Sequence, residues 1–440
     1  MWALPYLLFT TETQRTQREG KMSRILVTTL GTLGDLHPMI AVALELRQRG
    51  HDVVFVTHEV YQSKLEALKF EFHRMRPDFA AFNDPQEMAR MMDLKTGQEY
   101  MVRQWANPNL RDMYTDLFNV AQKSDFIFSG EGVTATPLVA EKLKMKWASS
   151  AMVPMSFFSA YDPPVLAPFP ALANLYQLGL TFNRGIINFA KFVSNSWASP
   201  VRQLRSELGL SPLKGNPYID CKFSPYLVIA LFSSVLGQPQ PDWAPNSVVA
   251  GFTYYDGTQS TELPEEVERF LNAGSAPIIF TLGSAAVMDA GNFYQESIKV
   301  AKLIYRRAIL LIGKNPPPQN LSDSKNIIAV NYLPYSQIFP RAAAIVHQGG
   351  IGTTAQALRA GRPTLIMPYS HDQPDNAARV ERLGTSRTIK RNQYSAPRVA
   401  KALNELLDNP SYAEKAAEIA RILQAENAVS VACDAIEKQL

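Results

Sequence analysis

Between residues 24 and 57 the chain passes through an apolar run, a glycine-broken turn, a helix-patterned stretch and a second apolar run. Ile25-Leu26-Val27 shows no polar alternation, which reads as a strand buried on both faces. Residues 24–30 are therefore assigned to a strand. In residues 38–49 Ile40, Ala43, Leu44 and Arg47 recur at helical spacing, and Gly50 is a C-terminal stop. Residues 52–57 form the next strand. Strand, helix, strand in this order demands a parallel pairing through a crossover helix. A parallel sheet must be covered by helices on both faces, so the expected class is α/β and doubly wound.

The same grammar returns in the second half. Strands are expected at 277–282, 308–312, 327–330, 344–347 and 364–367, with helices between them, and residues 411–440 read as helical throughout. The chain has 440 residues, more than one hydrophobic core supports. Two Rossmann-like domains facing a cleft are expected, 22–249 and 250–418, followed by a helical segment at 419–440. Residues 1–21 read as a disordered extension. Their apolar start, residues 2–9, has no basic leader and no small-residue cleavage site, which argues against a signal peptide.

Composition excludes several classes. Hydrophobic residues make up 46% and charged residues 19%, with a net charge of +4. That excess is too small to point to nucleic acid; it suits an anionic ligand or a loose contact with anionic lipid. Cys221 and Cys433 stand far apart, with no metal-spaced partners, so neither a disulfide framework nor a zinc site is expected and a reducing cytoplasm is the natural setting. No run is long enough to span a bilayer.

Residues 151–215 change character, with prolines at 163, 164, 168 and 170. A helix over 172–197 is expected, with Leu175, Leu178, Phe182, Ile186, Phe189 and Val193 near one face. Core packing is the first reading. An apolar wall for a small molecule, or a patch that touches membrane, is the other.

The strongest chemical signal is His347-Gln348-Gly349-Gly350-Ile351-Gly352-Thr353-Thr354, where a strand ends and a helix begins. Gly349, Gly350 and Gly352 permit close backbone approach. Free amides at a helix start, with its dipole behind them, favour a phosphate. Thr353 and Thr354 add hydroxyls, and His347 can donate to a diphosphate. The loop is not a Walker A sequence, because no Gly-Lys-Ser/Thr closes it. Downstream, Asp372 and Gln373 suit sugar hydroxyls, although Asp372 could equally cap a helix. Tyr332 either stacks on a base or packs in the core. In the N-terminal half, Gly31-Thr32-Leu33-Gly34-Asp35-Leu36-His37-Pro38 joins the first strand to the first helix. Pro38 suits the first helical turn. Asp35 either caps that helix or faces the cleft.

The stretch 332–384, with His-x-Gly-Gly-x-Gly-Thr-Thr, then Gly-Arg-Pro and Asp-Gln-Pro-x-Asn-Ala, resembles the donor-binding signature of family-one glycosyltransferases. These are the UDP-glycosyltransferase superfamily with the GT-B fold, and the resemblance is greatest to bacterial and sterol glucosyltransferase members. It implies an inverting transfer of a hexose, glucose foremost, from UDP-glucose to a hydroxyl of a small hydrophobic acceptor. His347, Ser284, Thr353 and Thr354 would hold the diphosphate, Tyr332 would stack on the base, and Asp372 and Gln373 would hold the sugar. Gln356 stands where many plant members have a ribose-binding glutamate, which loosens the choice between UDP and dTDP. Asp35 matches the family's catalytic base, with His37 a second candidate. The first domain would hold the acceptor and the second the nucleotide sugar, with the helix at 428–440 packing back toward the first. No Asp-x-Asp motif is present, so neither metal nor cofactor is expected. The alternatives are a nucleotide-sugar epimerase of the same fold and a non-catalytic nucleotide-sugar binding protein.

Overall fold

A computed structural model describes residues 22–77, 84–257, 262–319, 321 and 325–440. The segment 1–21 lies outside the described residues. Two sheets are present, and every strand pairing in them is parallel. The first contains β1 (Arg24–Thr28), β2 (Asp52–Thr57), β3 (Glu71–Arg74), β4 (Phe126–Ser129), β5 (Trp147–Ala151), β6 (Leu227–Ala230) and β7 (Ser247–Val249), in the order β3-β2-β1-β4-β5-β6-β7. The second contains β8 (Ile278–Thr281), β9 (Ala308–Leu311), β10 (Ile327–Val330), β11 (Ala344–His347), β12 (Thr364–Ile366) and β13 (Ser386–Thr388), in the order β10-β9-β8-β11-β12-β13. The boundary expected at 249/250 falls between the two sheets.

Successive residues of β1 feed opposite cores. Ile25 and Val27 pack with Leu36 and Met39 of the first helix, while Leu26 packs with Leu110, Met113 and Leu117. Each sheet reverses its strand order once, at β1/β4 and at β8/β11. Ligands of open parallel sheets bind beyond the carboxyl ends of strands at such a switch point. The loops that leave these four strands are therefore the ones that matter.

Several local expectations are corrected. β1 ends at Thr28 and the first helix begins at Leu33, not Pro38. Thr32 and Asp35 form a capping box that starts the helix early, and Pro38 lies inside it, where its missing N–H costs one backbone bond. The helix expected over 172–197 is broken at Gly179, whose φ of +96° no side chain favours. A 3-10 stretch, Pro170–Leu178, precedes the helix Leu180–Asn195. The C-terminal region is two helices, Pro410–Gln424 and Ala428–Glu437, so the domain end expected at 418 falls within the first of them. The last helix packs Ala432, Cys433, Ala435 and Ile436 into the core of the first sheet. Arg49 holds it through Asp434 and, at 2.9 Å, Glu437.

The two halves also interlock in a way the linear boundary hides. Residues 85–101, on the first half, place Met88 and Met92 in the core of the second sheet beside Phe280 and Phe293. The Ser370 hydroxyl donates to the Asp93 carbonyl at 2.9 Å. Arg379, almost fully buried, pairs with Asp375 at 2.7 Å on its own helix and reaches across to Asp162 and to the Leu236 carbonyl.

Candidate active site

One cavity of about 1380 Å³ lies between the sheets. Its polar part is built from the four loops at the switch points. β1 delivers Gly31–Asp35, β4 delivers Glu131, β8 delivers Gly283 and Ser284, and β11 delivers Gln348 and Gly350–Thr353. The two turns nearly touch: a Cβ built on Gly352 would lie 3.6 Å from the Gly34 Cα.

Asp35 both caps its helix and lines the cavity. Its Oδ2 accepts from the Thr32 N–H at 2.8 Å and the Thr32 hydroxyl at 3.3 Å, and Thr32 Oγ1 accepts from the Gly34 N–H at 3.2 Å. Both bonds from Thr32 go to Oδ2. Gly31 has φ +123°, and a Cβ there would collide with this carboxylate. Burial pushes Asp35 up to about 6, with Glu131's charge adding and the Thr32 hydrogen bonds opposing. A carboxylate so tuned is ionised at neutral pH yet basic enough to take a proton. His37 also lines the cavity, edge-on to Tyr255 with ring centroids 5.1 Å apart. Burial, aided by Lys64, lowers it to about 4, so the ring is neutral.

The second turn is built differently. The helix Ile351–Arg359 has Gly350 as its N-cap, with no side chain to satisfy its amides. Its first N–H groups are thus available to an anion. His347, Gly349 and Thr354 stand behind the cavity wall rather than on it. His347 Nδ1 accepts from the Gly349 N–H at 3.0 Å, and burial lowers the ring's pKa to about 3. The neutral ring must then carry its proton on Nε2, a buried donor with no partner among the described residues. Thr354 Oγ1 is likewise buried and unpartnered.

The remaining expected residues converge. Ser284, Tyr332, Thr353, Gln356, Asp372 and Gln373 all line the cavity. Tyr332 is 55% exposed, so it is a rim residue and not core. Asp372 precedes the helix Gln373–Arg382 but makes no capping bond to it. Its Oδ2 accepts from Asn376 Nδ2 at 2.6 Å. Burial pushes it up to about 7, opposed by that hydrogen bond and reinforced by Asp35's charge. Gln373 Oε1 accepts from the Tyr369 N–H at 2.9 Å, which leaves its amide N–H₂ for a ligand.

Known proteins bear on this geometry. Residues 25–147 match the glycosyltransferase family 28 N-terminal domain, and residues 308–436 match the erythromycin biosynthesis protein CIII-like C-terminal domain. The chain belongs to the family-1 glycosyltransferases. It is 28% identical to the O-mycaminosyltylonolide 6-deoxyallosyltransferase of Streptomyces fradiae, over 94% of this chain and 97% of that protein. It is 26% identical to a sterol 3-beta-glucosyltransferase of Arabidopsis thaliana, over 95% of this chain but 66% of the plant protein, and it spans only 34% of the Pichia angusta sterol 3-beta-glucosyltransferase. The crystal structure of the kitacinnamycin glycosyltransferase superposes with a TM-score of 0.70 at 19% identity, covering 96% of this chain and all of that one. VinC in complex with dTDP gives 0.65 at 19%, covering 95% and 100%. These likenesses fix the fold as GT-B.

Within this glycosyltransferase four further polar residues join the site. Glu131 accepts from Ser156 and pairs with Lys222, all three on the cavity wall. Its signal was present in the sequence, since Ser-Gly-Glu-Gly directly follows the apolar β4. Gln348 fills the space that Gly283 leaves, where a Cβ would collide with its amide. Asp256 accepts from Gln356 Nε2 at 2.8 Å. Asn376 bridges Asp372 and, at 2.9 Å, the Gly349 carbonyl. Gln348 and Asn376 lie within the quoted glycine-rich and Asp-Gln-Pro motifs, but their partners were not legible there; Asp256, whose contact with Gln356 spans 100 residues, had no local signal. The stretch 170–197 also reverses its first reading. Among the large side chains of the Leu180–Asn195 helix only Ile187 is buried in the protein, whereas Phe182, Ile186, Phe189 and Val193 line the cavity. With Met91, Met101, Trp105 and Phe158 they make its apolar chamber.

Proposed function

We propose that this glycosyltransferase carries a hexose, with inversion, from a nucleoside diphosphate sugar to a hydroxyl of a hydrophobic polycyclic acceptor of the sterol or macrolide kind. UDP-glucose is the first donor to test and dTDP-glucose the second. One observation carries the reading: the Asp35 carboxylate and the uncapped amides of the Ile351–Arg359 helix line a single cavity whose remaining wall is apolar.

The acceptor lies in the apolar chamber with its hydroxyl at Asp35. The hydroxyl oxygen attacks the anomeric carbon while Asp35 takes its proton, a contribution of roughly 10²–10⁴-fold. The bond from the anomeric carbon to the diphosphate oxygen breaks, and the diphosphate leaves with the electron pair. The helix amides, the Nε2–H of His347 and the hydroxyls of Ser284 and Thr353 stabilise that growing charge, each worth on the order of 10²-fold. Asp372 and Gln373 hold the sugar, Tyr332 stacks on the base and Gln356, oriented by Asp256, holds the ribose. The helix terminus serves where other enzymes use a divalent ion. Cys221 and Cys433 are both free thiols, in keeping with a cytoplasmic setting.

The test is transfer from each donor to a sterol, a macrolide aglycone and a polyphenol, read by mass spectrometry, with the anomeric configuration read by NMR. Inverted product, formed equally in EDTA, is expected. Retention, or a requirement for magnesium, overturns the mechanism; donor turnover with no acceptor product overturns the function.

A further inference from the structure

We infer that the outer side of the acceptor wall is a docking surface for anionic phospholipid bilayer, placed so that acceptors enter the chamber from the lipid. Vesicle binding stands on its own observations; only acceptor loading rests on the function proposed above.

Six of the seventeen exposed large hydrophobic side chains among the described residues fall within residues 169–193, well under a tenth of the chain. Phe192 is 78% exposed, Leu178 62% and Phe189 57%. A clustered apolar surface of this kind marks an interaction site, whereas scattered exposed residues do not. The element is two-sided. Phe182, Ile186, Phe189 and Val193 line the cavity, while Leu175, Leu178 and Phe192 do not and are exposed to solvent. The outer patch is thus continuous with the chamber through one helix.

Charge selects the occupant. No Asp or Glu occurs between Asp162 and Glu207, while Arg184, Lys191, Arg202 and Arg205 do. Arg184 and Arg202 make no ion pair among the described residues; Arg184 sits 6.0 Å over the Tyr161 ring, and Arg202 is held by Asn195. Lys191 is paired with Asp220 and Arg205 with Glu141, and the flanking Asp162 is occupied by Arg379. An apolar surface with unpaired cations beside it and no unpaired acid suits an interfacial element on anionic lipid. No helix among the described residues is long and apolar enough to cross a membrane, so the contact is peripheral.

The test is co-sedimentation of the full chain with phosphatidylcholine vesicles, with and without phosphatidylglycerol. Strong binding to the anionic vesicles, weakened by salt, is expected. The double variant Leu178→Asp/Phe192→Asp should lower that partition by roughly tenfold or more with unchanged melting temperature. Its transfer rate to a water-soluble alcohol should equal that of the parent, and only transfer to vesicle-borne acceptor should fall. Arg184→Ala should lower partition about fivefold on anionic vesicles only. Absence of sedimentation, equal binding by the double variant, or a parent dimer that the double variant renders monomeric each overturns the inference. If vesicles bind but no acceptor is glycosylated in any format, the function fails and the docking surface stands.

Discussion

Two strand-to-helix turns meet at the floor of the cleft, one after β1 and one after β11. Both leave a parallel strand at a switch point, both are rich in glycine, and their backbones pass within contact at Gly34 and Gly352. They differ in how the helix start is satisfied. After β1, Thr32 and Asp35 close a capping box, so the early amides are used internally and a carboxylate is held on the cavity wall. After β11, Gly350 supplies no side chain, and the amides remain open. The same supersecondary unit therefore presents a carboxylate on one side and open amides on the other. The difference teaches that capping, not fold, assigns the chemistry of such a turn.

The largest effect should come from breaking the first turn's charge. Asp35→Asn keeps the shape and an acceptor for Thr32 but removes the base. Its kcat should fall roughly 10²–10⁴-fold with donor affinity unchanged. If His37→Ala abolishes transfer and Asp35→Asn does not, the roles exchange. The parent's kcat/KM should fall with acid through about pH 6, where Asp35 becomes protonated. Stability should move the other way. Asp35 and Asp372 have folded pKa values raised to about 6 and 7, above their unfolded values. Their stabilising contribution is full below the unfolded values and is lost as pH rises through the raised ones. Melting curves from pH 5 to 8 should show this loss, and Asp35→Asn should flatten it.

Next comes the donor behind the second turn. His347→Ala should lower kcat about 10²-fold, and His347→Gln, which retains a donor, should recover part of it. Equal rates for parent and both variants would remove His347 from diphosphate binding. A smaller change should follow from giving the second turn the first turn's device. Gly350→Asp adds a carboxylate at the N-cap, where φ is −61°, and its Cβ displaces the Gln348 amide. It should compete for the amides and raise the donor Kd, read by calorimetry, by roughly tenfold or more. The smallest effect is the converse. Thr32→Ala opens the capping box and should cost ~1 kcal/mol in denaturant unfolding, with kcat only slightly reduced because Asp35 keeps its bond to the residue 32 backbone N–H and loses only the hydroxyl contact.

These turns also explain what was legible beforehand. The glycine-rich motifs are local, since strand, loop and helix start lie within a dozen residues. Asp35 was legible as a residue, but its two readings, helix cap or cleft-facing side chain, were not rivals; it caps the helix and lines the cavity at once. The 172–197 segment, first read as core, was misread for one reason. An apolar side chain that faces a ligand cavity has the same spacing as one that faces a core, so periodicity cannot separate them.

What the sequence by itself determined was the strand–helix–strand grammar of each half, and hence two parallel sheets, with the glycine-rich loops after β1 and β11. Parallel strands are buried on both faces and their connections are short, so these features leave a strong local signature. Tertiary structure alone decided which residues meet. Met88 and Met92 of the first half complete the core of the second, Asp256 reaches Gln356 over 100 residues, and Arg379 ties the halves through Asp162 over 217. Such pairings depend on how the two domains dock. Docking is set by the complementarity of whole surfaces, which no window of adjacent residues contains.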